Sequence, residues 1–160
     1  MRDGIDLRAA VTSDAPIVAA LFEQIVAGSE DRFFHPHPFT TEAASRLCGQ
    51  PGKDLYFVAM DGAACVAWGM LRGWNEGYEV PSLGLYVAPS HRGRGLGRAM
   101  MEQMRAAAVA RGAPAIRLKA HPENARALDL YHCQGYRFGD TLEHGQRVGR
   151  LELGGRTPEA

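Results

Sequence analysis

The sequence LGLYVAPSHRGRGLGR, residues 83–98, is the most informative stretch of the chain, because it joins an apolar strand, a short loop and a glycine-rich turn. It leads into a segment of helical character, predicted over 99–111. A helix N-terminus carries roughly half a positive charge and unpaired N–H donors, so it attracts anions. The glycines of the turn leave the main chain open to a bulky anion, and its arginines add positive charge. The stretch therefore predicts a diphosphate site formed by Arg92, Gly93, Arg94, Gly95, Gly97 and Arg98.

Two common nucleotide motifs do not fit this turn. A P-loop continues from its last glycine with Lys and then Ser or Thr, whereas Gly97 is followed by Arg98. A dinucleotide fingerprint starting at Gly93 and Gly95 needs a third glycine or alanine where Arg98 stands. The spacing that is present, Arg-x-x-Gly-x-Gly from Arg92, points to another phosphate-bearing ligand. A turn that needs glycine for backbone reasons alone is the alternative at this point.

Composition favours one domain with neither a polymer nor a membrane as partner. The 160 residues suffice to bury a core, and we predict a single domain over 1–153 and a flexible tail over 154–160. The 18 basic and 18 acidic residues balance, so no overall field favours nucleic acid or anionic membrane. No apolar run could span a bilayer, and the N-terminal residues lack the apolar core of a signal peptide. Three widely spaced cysteines predict reduced thiols in a cytoplasmic protein and no metal site.

The hydrophobic pattern predicts alternating strands and helices in a mixed α/β sheet protein. An Asp-Gly pair at 61–62 between two β-rich runs is typical of a hairpin. The predicted strands are 5–8, 54–60, 63–72, 80–87, 115–120, 136–138 and 146–153. The predicted helices are one that is capped within 12–14 and runs to 27, and others over 41–48, 99–111 and 124–134. Ligands of open α/β sheets bind beyond the carboxyl ends of strands, where the glycine-rich turn lies.

Two motifs carry a resemblance to a known family. The first is Arg92, Gly95 and Gly97, which fit the pattern Arg/Gln-x-x-Gly-x-Gly/Ala. The second is an Asn, Ala, Tyr and Gly-Tyr series near the C-terminus, formed by Asn124, Ala127, Leu128, Tyr131, Gly135 and Tyr136. With both motifs and this order of elements, the sequence resembles the GCN5-related N-acetyltransferase (GNAT) superfamily. The resemblance implies a central mixed, mostly antiparallel sheet flanked by helices, in a single acetyltransferase domain over 1–153.

The resemblance also implies an acetyl-CoA-dependent transfer by direct attack of an amine on the thioester. Main-chain groups of Leu85, Tyr86 and Val87 would pair with the pantetheine arm. Asn124 and Ala127 would contact the cofactor beside that arm. Backbone N–H groups of the turn would hold the diphosphate of coenzyme A, from Arg92, Gly93, Arg94, Gly95, Leu96, Gly97 and Arg98.

The chemistry needs an acid, a base and an oxyanion donor. Tyr131, whose unperturbed pKa is near 10, would protonate the leaving thiolate, as in the family. Glu79 precedes the central strand and is the candidate base, directly or through water, with Glu76 as the alternative. His35 and His37 lie in a region that shapes acceptor pockets in this family, and a histidine there could relay a proton. A backbone N–H at a bulge in strand 80–87 is the expected oxyanion donor.

The acceptor is the open question of the sequence. Aromatic walls with a few polar groups suit a small molecule, and we expect them from Phe34, His35, His37, Trp74 and Glu76. Amino sugars, amino acids and polyamines fit this description, and a protein or peptide amine is the alternative. A non-catalytic acyl-CoA sensor and a domain that binds another nucleotide are two further readings. Homodimers are common in the family that the sequence resembles.

Overall fold

The computed structural model describes residues 4–32, 34 and 36–154. These residues form seven strands and four helices, with short 3₁₀ turns between them. The strands are β1 (Ile5–Ala9), β2 (Leu55–Asp61), β3 (Ala64–Arg72), β4 (Ser82–Val87), β5 (Ala115–Ala120), β6 (Arg137–Glu143) and β7 (Gln146–Glu152). The helices are α1 (Ala15–Ala27), α2 (Thr41–Gly49), α3 (Leu96–Ala110) and α4 (Ala125–Cys133).

All seven strands belong to one sheet in the order β1-β2-β3-β4-β5-β7-β6. Only the β4–β5 pair is parallel, so the sheet is mixed and mostly antiparallel, which confirms the predicted fold class. That pairing is also the shortest, because it joins only Ser82 to Arg117 and Leu83 to Leu118. Beyond it β4 continues to Val87 without β5 beside it. The sheet therefore splits at its centre.

The two faces of the sheet are covered by different helices. On one face Met100 and Met104 of α3 lie against Gly69 of β3, where a Cβ would come within 2.9 Å of the Met104 sulfur. On the other face Phe22 of α1 packs edge-on against Trp68, with the ring centroids 5.4 Å apart. Side chains alternate between faces along a strand, so Gly69 and Trp68 serve different layers. One continuous cluster of buried side chains extends through both layers.

Helix boundaries differ from the predicted ones where a turn residue has a second role. Helix α3 begins at Leu96 rather than at 99, because Gly95, with a φ of 81°, ends the turn in the left-handed region. The residues at 12–14 form a 3₁₀ turn, and α1 begins after it. Asp14 lies there as a buried acceptor for Arg8, with oxygens 2.7 and 2.9 Å from two guanidinium nitrogens. This contact lowers the pKa of Asp14 and fixes β1 to the start of α1.

Two further expectations concern the sheet and the chain ends. The register between β3 and β4 is continuous from Ser82 to Val87, so the bulge expected in that strand is absent from it. Free N–H and C=O groups in β4 arise instead from the early end of its pairing with β5.

Of the predicted tail 154–160 only Gly154 is described, so the domain boundary stays a prediction. Among the described residues, no helix has the length and apolar character to cross a membrane.

Candidate active site

The turn between β4 and α3 presents a cluster of unpaired N–H donors. The first helical hydrogen bond of α3 runs from the Ala99 N–H to the Gly95 carbonyl, at 3.1 Å. The N–H groups of Leu96, Gly97 and Arg98 therefore precede the helical hydrogen bonds and point out of the N-terminus. Positive φ angles at Gly93 (78°) and Gly95 (81°) turn the chain so that this terminus faces the groove described below. A 15-residue helix adds the positive end of its dipole to these donors.

Not every residue of the turn faces the groove. A Cβ at Gly97 would lie 3.2 Å from the Leu130 side chain, so this glycine allows α4 to pack on α3. The side chain of Leu96 is buried in the core, and Arg94 donates from Nη2 to the Ser90 carbonyl at 3.1 Å. The expectation that all the glycines serve ligand approach is therefore too broad. Leu96 can contribute only its main chain, whereas Gly97 also has a packing role.

Arg92 supports the turn rather than supplying mobile charge. Its Nε donates to the Val87 carbonyl at 2.8 Å, and its Nη2 is paired with the Glu30 carboxylate. The guanidinium carbon also lies 5.4 Å from the centroid of the Tyr86 ring. These contacts tie the end of β4 to the segment that follows α1. Glu30 lies 62 residues from Arg92 along the chain, so no local pattern of the sequence indicates this pair.

A groove of about 810 Å³ runs from this turn along the open side of β4. Exposed Arg98 and Arg126 line it and could neutralise phosphate charge. Asn124 caps α4, where its Oδ1 accepts from the Ala127 N–H at 3.3 Å, so the side-chain amide remains able to donate into the groove. The groove is lined on its two walls by Leu85, Tyr86, Val87, Gly93, Gly95, Gly97, Asn124, Ala127, Leu130 and Tyr131, among others.

Tyr131 reaches the wall of the groove from inside the protein. It lies on α4 and is buried, with its ring near that of Tyr136 at a centroid distance of 6.1 Å. Burial raises the pKa of Tyr131 to about 12, because the phenolate would lose its hydration. The hydroxyl therefore stays protonated at neutral pH and acts as a hydrogen-bond donor. Full transfer of its proton to a thiolate, with an ordinary thiol pKa near 8.5, would run uphill.

A second cavity of about 870 Å³ lies on the other side of the split in the sheet. The two cavities share Phe34, Leu83, Gly84 and Lys119 in their walls, so they meet where β4 leaves β5. Phe34 lies over this point and stacks on Tyr86, with the ring centroids 6.0 Å apart at 23°. A Cβ on Gly84 would come within 3.2 Å of the Phe34 ring. A glycine inside a strand is a signal of such close approach, and it was overlooked in the sequence.

Acidic residues lie on one wall of this second cavity. Glu76 and Glu79 line it from the loop between β3 and β4, and both are exposed. Asp54 fixes that loop, since its Oδ1 accepts from the Gly73 and Asn75 N–H groups, each at 3.1 Å. Asp54 is itself buried, so these hydrogen bonds connect the loop to the start of β2 away from solvent.

Three residues expected near the acceptor do not lie in this cavity or are not described. His37 is buried in the core, where its Nε2 accepts from the Trp68 Nε1–H at 3.1 Å and its Nδ1 donates to the Pro38 carbonyl at 2.7 Å. Burial lowers the pKa of His37 to about 4, so it is neutral and structural rather than a proton relay. The Arg111 guanidinium carbon lies over Trp74, 4.6 Å from the centroid of the indole ring. Trp74 is not part of the cavity wall. His35 lies outside the described residues.

Similarity to known proteins in sequence and structure identifies the family of this chain. Residues 22–136 match the model of the acetyltransferase (GNAT) family, and the chain belongs to that family. It is similar to a GCN5-related N-acetyltransferase from Kribbella flavida at 26% identity, with a TM-score of 0.77 over 94% of this chain and 99% of that one.

Two further solved structures share the fold. The GNAT domain of PAT from S. lividans is 22% identical, with a TM-score of 0.78 over 92% of this chain and 89% of that chain. The PaiA N-acetyltransferase from Thermoplasma acidophilum, solved in complex with coenzyme A, is 15% identical, with a TM-score of 0.70 over 93% of this chain and 99% of that chain.

Proposed function

We propose that this protein transfers the acetyl group of acetyl-CoA to the primary amine of a small molecule by direct attack on the thioester. One observation carries the proposal: two cavities of similar size approach the split between β4 and β5 from opposite sides and meet there. The groove of about 810 Å³ suits a long phosphate-bearing donor, and the cavity of about 870 Å³ suits an acceptor. Membership of the GNAT family and the coenzyme A complex of a structural neighbour support the choice of donor.

The donor is bound mainly by the main chain. The diphosphate takes hydrogen bonds from the N-terminus of α3, with charge from Arg98 and Arg126. The pantetheine arm extends along Leu85–Val87, whose main-chain groups have no strand beside them on the β5 side. Amide groups of the arm can pair with them as an added strand would. The thioester then lies at the meeting point of the cavities, near Gly84.

The reaction moves two protons from the acceptor nitrogen. Glu79, directly or through a water, takes the first proton from the ammonium group, and the free amine attacks the thioester carbonyl. Unpaired N–H groups of β4 stabilise the resulting oxyanion. As the C–S bond breaks, Tyr131 donates a hydrogen bond to the departing thiolate, which receives the second nitrogen proton. The products are the N-acetylated amine, coenzyme A and the proton taken by the base.

A small acceptor is favoured by the shape of its cavity. Phe34, Pro36 and Met70 form an apolar part of the wall, and the 73–79 loop contributes another side. A space of about 870 Å³ is within the ordinary range for small-molecule sites. A cytoplasmic location, where acetyl-CoA is available, remains part of the proposal.

The test is an amine screen with the purified protein. Free thiol is measured from acetyl-CoA with amino sugars, amino acids, polyamines and peptides, and acetylated products are identified by mass. We expect thiol release that depends on a small amine. Release only with peptides would overturn the acceptor class, and coenzyme A binding without turnover of any amine would favour a sensor.

A further inference from the structure

Three arginines and one serine form a row across four strands in the wall of the cavity of about 870 Å³, the proposed acceptor cavity. Arg72 of β3 pairs with Ser82 of β4, Ser82 with Arg117 of β5, and Arg117 with Arg150 of β7. Residues directly opposite one another on adjacent strands point to the same face of the sheet. All four line the cavity, and Lys119, two residues beyond Arg117 on the same face, lines it as well. Neighbouring strands are about 4.8 Å apart, so this is a compact positive surface.

This arrangement is unfavourable for the sheet by itself. Like charges directly opposite each other across two strands destabilise the pairing, and Arg117 faces Arg150 in this way. Exposed carboxylates relieve the repulsion only in part. Glu143 contacts Arg117 through Nη2 alone, at 3.1 Å, and Glu152 contacts Arg150 through Nε alone. Exposed ion pairs of this kind contribute little, so a ligand anion can replace them.

The same cavity also carries the opposite charge. Glu76 and Glu79 line the same cavity from the 73–79 loop. On β4, Ser82 of the basic row is two residues from Gly84, where the cavities meet, a distance of about 7 Å along a strand. A ligand that extends from the basic row to the meeting point of the cavities at Gly84 needs an anion at the first end and an amine at the second. A few bonds separate the two groups.

We propose that the acceptor is a zwitterion, an amine that carries a carboxylate or a phosphonate a few bonds away. This inference rests on the proposed function and names its substrate class. Arg117, Arg150 and Ser82 bind the anionic group, with Arg72 and Lys119 adding charge. Guanidinium groups bind such oxyanions through two parallel hydrogen bonds. The ammonium group then lies towards Glu79 and Gly84, in line with the thioester.

The experiment compares matched acceptors that differ only in the anion. Free L-amino acids, their amides, the corresponding decarboxylated amines and aminoalkylphosphonates are each assayed for kcat/KM with acetyl-CoA. We expect the anionic acceptors to exceed their neutral partners by about 100-fold, or about 2.7 kcal/mol, because the neutral partners lack the charged hydrogen bonds to the arginines. A preference within the anionic set distinguishes carboxylate from phosphonate.

Variants locate the effect. Arg117→Gln and Arg150→Gln should each raise KM for the anionic acceptors and so reduce the anionic preference at least about 10-fold. Arg150→Lys should restore part of it, and thermal melting verifies the fold of each variant. The matched control is Arg137→Gln, because Arg137 pairs with Arg150 from the outer strand β6 but does not line the cavity.

The outcomes separate the two proposals. If no amine is acetylated, the proposed function fails. If amines are acetylated equally well with and without the anion, or if Arg137→Gln reduces the preference as much as Arg150→Gln, the zwitterion proposal alone is overturned.

Discussion

The cofactor groove and the acceptor cavity differ in what they are made of. The groove takes its main features from the backbone: the N-terminus of α3, the turn at Gly93 and Gly95, and the unpaired edge of β4. The acceptor cavity takes its features from side chains on four strands, the 73–79 loop, and Phe34 and Pro36. A backbone site is encoded by a continuous stretch of sequence, whereas a side-chain site is assembled by strand register. The first can therefore remain constant in a family while the second changes.

The largest effect should come from Gly95→Asp in the groove. Aspartate at a φ of 81° is strained, and its carboxylate repels the diphosphate at the helix N-terminus. We expect coenzyme A affinity to fall by about 1000-fold, which isothermal titration calorimetry measures.

The control is Gly112→Asp, since Gly112 has a similar φ of 80° but lies at the other end of α3, outside both cavities. If both variants lose coenzyme A equally, backbone strain and not the diphosphate site explains the loss. That result would break the proposed division between a backbone site and a side-chain site.

Next in size is Tyr131→Phe, at the wall of the groove near the reacting atoms. Loss of the hydroxyl should lower kcat by about 100-fold while coenzyme A affinity changes less than about twofold, because the hydrogen bond acts on the leaving thiolate. Single-turnover kinetics and calorimetry measure the two quantities.

Tyr136→Phe is the matched control, another buried tyrosine in ring contact with Tyr131 that lines neither cavity. It should leave kcat unchanged. An unaltered kcat in Tyr131→Phe would remove this residue from the chemistry.

A smaller effect is expected for Glu79→Gln in the acceptor cavity. We expect kcat/KM to fall about 10-fold at pH 7 and to recover at high pH, where the amine loses its proton without a base. A smaller loss than for Tyr131 is expected because Glu79 is exposed and water can reach its place.

Glu76→Gln serves as the comparison, since Glu76 lies on the same loop and lines the same cavity. Recovery at high pH in Glu76→Gln alone would assign the base to that residue. If neither variant changes the pH–rate profile, the acidic wall does not supply the base.

The smallest effect on activity should come from His37, which is buried in the core against Phe22, Phe39 and Trp68. Its pKa of about 4 lies below the ordinary 6.5, so the unfolded chain binds the extra proton first as the pH falls. Stability is therefore complete above pH 6.5 and decreases towards pH 4, by about 3 kcal/mol. Urea unfolding at several pH values measures this slope.

His37→Gln should weaken the slope between pH 6.5 and 4 while activity at pH 7 changes little. Replacement of the exposed His132 by Gln should leave the slope as it is. An unchanged slope in His37→Gln would mean that other groups cause the acid loss of stability.

Much of the fold could be predicted because its signals are local. The strand over 115–120 has its predicted bounds, and Asn124 begins α4 as its cap, since a short polar side chain at that position satisfies a free N–H. The start of α3 was placed three residues late, because glycines lower helix propensity although here Gly97 lies within the first turn. The 3₁₀ turns were not predicted, because each has three residues, too few to show a hydrophobic periodicity.

In the candidate site, the residues of a local motif could likewise be predicted, whereas residues placed by distant contacts could not. Tyr131 and Asn124 lie in the wall of the groove, as their motif predicts. His37 was misplaced because an aromatic, proline-rich segment looks the same in sequence whether it faces a ligand or the core. The Trp68 partner that makes His37 structural lies 31 residues away along the chain.

Local sequence was enough to predict the family, the glycine-rich turn and the helix that follows it. These depend on neighbouring residues, whose backbone preferences act over one turn. Three features depend on contacts between distant parts of the chain: the split in the sheet, the pairing of Arg92 with Glu30, and the row formed by Arg72, Ser82, Arg117 and Arg150. Strand order and register set those distances, and a shift of one residue would turn each side chain to the other face.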